Sequence, residues 1–193
     1  MNKRVMMLAV GLVALLGICQ AALAQQFSAD FVTTVGDRSL SMKANVDHSN
    51  VRIDTANGAI LISGVMANVN YMIVPATKQF KAIDRNKLPL LLVYQLKGET
   101  SREHVAAETI EGIETRKYKV TVKTPDGKDQ EVYQWVVYNS DKDINPIKLA
   151  AVDGSFVMEY KNIKVGPQPK ELFDVPSDYQ DMAAPSAPAP ERK

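Results

Sequence analysis

Phe27-Ser28-Ala29-Asp30-Phe31-Val32-Thr33-Thr34-Val35 runs into Gly36-Asp37 and returns as Ser39-Leu40-Ser41-Met42-Lys43-Ala44-Asn45-Val46. Phe27, Ala29, Phe31, Thr33 and Val35 share one phase of a period of two. Leu40, Met42, Ala44 and Val46 continue it after the turn. Successive side chains of an extended strand point to opposite faces, so this pattern predicts antiparallel strands with one face buried and one wet. The same grammar extends outward. Asp47-His48-Ser49-Asn50 predicts a turn, Val51 and Ile53 flank Arg52 in a third strand, and Asn57-Gly58 predicts a hairpin before Ile60 and Ile62. Val69 to Val74 and Lys78 to Ile83 predict a further pair around Pro75-Ala76.

The second half repeats this logic. Gly112 separates Val105–Ile110 from Thr115–Lys123, where Tyr118, Val120 and Val122 share a face. Pro125-Asp126-Gly127 turns the chain into Tyr133, Trp135 and Val137, read here as one core-facing phase. Ile147, Leu149 and Ala151 lead to Asp153-Gly154, and Phe156, Met158 and Tyr160 follow. Short strands between Gly, Pro, Asn and Asp turns predict a mainly β fold, an antiparallel meander.

One segment departs from the period. Asn86 to Lys97 reads Asn-Lys-Leu-Pro-Leu-Leu-Leu-Val-Tyr-Gln-Leu-Lys. Pro89 suits a first helical turn, and Leu88, Leu91, Leu92 and Leu96 fall at helical spacing, so a helix is expected over 86–97. Its five leucines are worth about 8–15 kcal/mol of burial. They are expected to cover the sheet, or to be shared between the sheet and a hydrophobic ligand.

The two ends read differently. Lys3 and Arg4, the apolar run from Val5 to Ile18, and Ala22-Leu23-Ala24 before Gln25 match a secretory signal peptide over residues 1–24. Export to the periplasm is expected, with no transmembrane span in the mature chain. Cys19, the single cysteine, is expected to leave with the signal. Ile18 before it does not suit lipidation, and the mature chain then holds no disulfide or thiolate metal site. Residues 183–193 are Ala/Pro-rich and predict an extended tail without a core, which leaves 25–182 as the folded domain.

Lys and Arg number 23 against 22 Asp and Glu. A chain so nearly neutral offers no electrostatic case for nucleic acid. The two histidines, His48 and His104, have no second histidine at ligand spacing, so neither a metal nor a cofactor is expected. No Gly-x-Ser-x-Gly elbow or phosphate loop is present. The carboxylate pairs Glu108/Glu111 and Asp141/Asp143 are of a kind common on solvated loops. A hydrolytic pairing of Glu108 or Asp143 with His104 is the weakest reading, and no catalytic residue is expected.

Phe27-Ser28-Ala29-Asp30-Phe31, Val51-Arg52-Ile53-Asp54, Val74-Pro75-Ala76-Thr77-Lys78, Glu108-Thr109-Ile110-Glu111-Gly112, Gln134-Trp135-Val136, Glu159-Tyr160-Lys161-Asn162-Ile163 and Leu172-Phe173-Asp174-Val175-Pro176 occur in this order. In them the chain resembles exported bacterial proteins of the outer-membrane lipoprotein carrier (LolA-like) superfamily, from about Phe27 to Met182. The resemblance implies a strongly curved antiparallel sheet, an incomplete β-barrel, with one or more helices on its concave face. It also implies a cavity for acyl chains. The expected function is a periplasmic, non-enzymatic binding protein for a lipid or a lipoprotein acyl chain. Its expected lining is Leu88, Leu91, Leu92, Leu96, Tyr118, Trp135, Phe156 and Met158. The alternative is a protein-interaction or envelope-stress-sensing domain without a cavity, which recruits an envelope protein by a free sheet edge or by the tail.

Overall fold

The computed structural model describes residues 26–48, 50–64, 69–84, 93–140 and 143–183. The expected signal peptide and all of the expected tail beyond Ala183 lie outside them. The strands are β1 (Gln26–Val35), β2 (Arg38–Asp47), β3 (Asn50–Asp54), β4 (Ile60–Gly64), β5 (Val69–Val74), β6 (Gln79–Ala82), β7 (Glu99–Ile110), β8 (Ile113–Lys123), β9 (Asp129–Ser140), β10 (Asp143–Ala151), β11 (Phe156–Val165) and β12 (Gln180–Asp181). They form one open sheet in the order β12-β6-β5-β4-β3-β2-β1-β11-β10-β9-β8-β7. Two meanders, β1–β6 and β7–β11, each pair in chain order. The β1–β11 ladder then joins them, with Phe31 opposite Tyr160 and Val35 opposite Phe156.

The period of two places Phe27, Ala29 and Phe31 of β1 on the same face as Val46, Ala44 and Met42 of β2, their direct partners. Val51 and Ile53 of β3 continue that face. Together with Val120, Val132, Ile147, Leu149 and Tyr160 they form the core. Phe27 and Phe31 both stack against Tyr160, with ring centroids 5.4 and 5.7 Å apart.

The sheet curls around its core. Ile83, which follows β6, and Val93 both pack on that core. The Val93 carbonyl is bound by Gln134 of β9, eight strand positions from β6, so distant strands converge on one buried cluster. The inner face is therefore concave. Bulges assist the bend: the β9–β10 register slips between Pro146 and Lys148, which also accommodates a proline that cannot donate to a ladder.

The outer face carries cross-strand charge pairs, among them Lys117–Glu108 at 3.0 Å and Lys148–Glu159 at 2.9 Å. Burial raises the Glu159 carboxyl, but the ammonium groups of Lys161 and Lys148 bring it below the usual carboxylate value. After β11 the chain straps across this face. Asn45 Nδ2 donates to Gln168 Oε1 (2.8 Å), Arg52 Nη1 donates to the Leu172 carbonyl (3.1 Å), and β12 pairs parallel with β6.

Of the helix expected over 86–97, residues 86–92 lie outside the described residues, and 93–97 form bends and a turn. Among the described residues there is no α-helix, only single 3₁₀ turns at Pro75–Thr77 and Lys170–Phe173. Side chains take backbone groups of Val93, Tyr94 and Leu96, as described next.

Candidate functional site: the inner face and its rim

The inner face changes character along the strands. Its middle is a buried apolar floor, with Phe31, Ile53, Leu149 and Val120 closed to solvent. Toward the β1–β2 and β10–β11 turns the floor rises into half-buried Met42, Met158 and Phe156, which pack against it. It ends at Val35 and Leu40, 57% and 49% exposed. Met158 and Leu40 both lie opposite Thr33, on its two sides. An apolar track thus runs from the core to open solvent on both sides of Thr33.

A polar staple stands beside it. Arg102 of β7 lies opposite Val120. Its Nε and Nη2 donate to the two carboxylate oxygens of Glu99 (2.8 and 2.9 Å), Nη1 donates to Gln134 Oε1 (2.8 Å), and Nη2 also donates to the Tyr94 carbonyl (2.8 Å). The guanidinium sits 4.2 Å from the Tyr94 ring centroid and 5.4 Å from that of Tyr118. Gln134, 0% exposed, donates from Nε2 to the Val93 carbonyl (3.0 Å). Glu99 Oε2 accepts from the Leu96 N–H (3.0 Å). The backbone of 93–96 thus binds side chains instead of its own helical neighbours. The Tyr94 and Tyr138 hydroxyls meet at 2.6 Å. Burial, followed by hydrogen bonds to Tyr118 and Tyr94, holds the Tyr138 phenol well above its ordinary value.

The expected lining residues divide into three groups. Leu96 is buried in the core, and Tyr118, Phe156 and Met158 pack against it on the same inner face. Leu88, Leu91 and Leu92 lie outside the described residues, whereas Val93, which follows them, is anchored on the inner face. Trp135 is a correction. It is buried, but Lys117 and Lys148 lie over its ring at 4.7 and 5.3 Å, and its Nε1 donates to Glu108 Oε2 (2.6 Å). Those partners belong to the outer face. On β9 it is Gln134, opposite Tyr118, that faces inward.

The Glu108–His104 pairing dissolves for the same reason. His104 lies opposite Tyr118, their rings 5.5 Å apart, while Glu108 is held outside by Trp135 and Lys117. Those two hydrogen bonds, the indole's first, lower the Glu108 carboxyl below its ordinary value. Among the described residues no group of three metal-ligating side chains occurs, and no helix is long and apolar enough to cross a membrane. The alternation of strands did not reveal Arg102, Glu99, Gln134, Tyr94 and Tyr138. The one available signal was Gln134, a polar residue in phase with Val132 and Val136.

No family model matches the chain, and no curated relative does. Among solved structures it is similar to a LolA superfamily protein from Nitrosomonas europaea, with 12% identity, a TM-score of 0.34, and coverage of 82% of this chain and 96% of that one. It is also similar to LprF from Mycobacterium bovis, with 12% identity, a TM-score of 0.37, and coverage of 83% and 96%. A third match is the lipoprotein LppX from Mycobacterium tuberculosis, with 15% identity, a TM-score of 0.38, and coverage of 80% and 97%.

Proposed function

We propose that the protein is a periplasmic, non-enzymatic carrier that holds a lipid or a lipoprotein acyl chain against the inner face of its curled sheet. One observation carries this reading: the apolar track from the closed floor through Met42, Met158 and Phe156 to the exposed Val35 and Leu40. A monomeric fold with no ligand has no use for a core that continues to the surface. Leu96 and Tyr118 would form the opposite wall. Apolar burial would supply affinity, and the acyl chain would need no polar partner along its length. The test is titration of delipidated protein with a fluorescent fatty acid, together with mass spectrometry of lipids extracted from protein isolated out of its own envelope. Saturable binding near one per chain, competed by unlabelled fatty acid, is expected. Absence of both binding and co-purified lipid refutes the reading.

A second reading rests on β7. It ends the sheet, with no neighbour on its far side among the described residues, and Val105 on it is exposed. A free edge of this length can accept a partner strand. A stoichiometric protein crosslinked to β7 in intact cells would favour an envelope interaction domain.

A further inference from the structure

We propose that the open end of the inner face is a lipid-docking surface, in which two neighbouring hairpin tips dip into the surface of a neutral bilayer. The β1–β2 hairpin carries Val35 at the end of β1 and Leu40 near the start of β2, and the β10–β11 turn carries Val152, 39% exposed. The turns adjoin, the Gly36 N–H reaching the Ser155 carbonyl at 3.4 Å. Both tips are exposed throughout, over residues 35–41 and 152–155. The remaining exposed large apolar residues among those described, Val105, Val165 and Met182, sit apart on β7, at the far end of β11 and after β12. Exposed apolar side chains scattered singly are ordinary, but contiguous ones mark a binding surface.

Shape and charge select the partner. Projecting tips bury their side chains in a soft apolar medium, whereas a protein partner would need a matching cleft. The charges beside them include Asp37, Arg38 and Asp153, and Glu131, whose carbonyl accepts from the Val152 N–H and whose carboxylate pairs with Lys119; they are mixed in sign and unsuited to steer toward a strongly charged surface. Val35 lies opposite Phe156 and is continuous with the acyl track. The inference rests on the carrier reading for its purpose: a rim seated in the bilayer lets an acyl chain pass without crossing water.

The test is flotation of protein recovered from the envelope with vesicles of pure phosphatidylcholine. The natural protein floats, and raised salt leaves this unchanged. Val35→Ser combined with Leu40→Ser lowers the floated fraction about ten-fold, while Val165→Ser does not. In a Trp135→Phe background, Leu40→Trp shows blue-shifted emission on adding vesicles. The inference is overturned if the natural protein stays with the lipid-free fraction, if the double variant floats as well, if anionic lipid is required, or if only vesicles containing envelope proteins bind. Fatty-acid binding without flotation removes the docking surface alone. Flotation with neither fatty-acid binding nor co-purified lipid leaves docking standing and removes the carrier reading.

Discussion

Replacing Arg102 with leucine tests the staple most directly. The guanidinium makes four hydrogen bonds, two to Glu99 and one each to Gln134 and the Tyr94 carbonyl. Both charged side chains of the pair are only 13% exposed. Removing one partner of a buried ion pair leaves the other charge uncompensated, at a cost of about 3–5 kcal/mol. At roughly 2–4 °C per kcal/mol for a domain of this size, Tm falls by about 6–20 °C. Trp135, the single tryptophan, lies on the outer face and reports global unfolding in urea. Arg102→Leu with Glu99→Leu removes both charges, so the double variant is expected to recover part of the loss. Strict additivity in that cycle, or a loss below about 1 kcal/mol for Arg102→Leu, the range of a surface pair, would refute the argument.

Other outcomes follow from single contacts. Met158→Asp puts a charge on the apolar track and weakens fatty-acid binding at least about ten-fold, whereas Trp135→Phe leaves it unchanged; equilibrium titration compares them. The Glu108 carboxyl is held below its ordinary value of 4.5 by Trp135 and then Lys117, so its contribution is complete above that value and disappears as pH falls through the lower, folded-state value. Trp135 emission followed downward from neutral pH should change below that point, and Glu108→Gln should flatten the step. A Cβ at Gly98 would meet the Lys123 carbonyl oxygen at 2.6 Å, at a φ of +77°. Gly98→Ala therefore costs about 1–3 kcal/mol from the backbone conformation alone, measurable by urea unfolding, and amide exchange should quicken first where β7 begins and β8 ends.

The strands were legible where one face is dry and the other wet. In β1, Phe27, Ala29 and Phe31 are buried and alternate with half-buried Ser28 and Asp30, so phase could be read directly. It could not in β9, where Trp135 and Gln134 are both buried on opposite faces and the aromatic phase looked like the core. The site was less legible than the fold because its bonds are long-range. Gln134 and Val93 are 41 residues apart, and Gln134 and Arg102 are 32 apart. Helical spacing in 86–97 was a local signal, and at 93–96 the backbone binds Glu99, Arg102 and Gln134 instead, the last from 41 residues away.

The seam between β1 and β11 also governs the order of assembly. Phe27 waits for Val165, so the strand nearest the amino terminus cannot complete its pairing until almost the whole chain has emerged. Hairpins on either side can form early from short-range contacts, whereas uniting them demands closure of a very large loop. An incomplete chain would carry β1 with one bare margin and its phenylalanines unshielded by Tyr160, a species primed for aggregation or for retention by a chaperone.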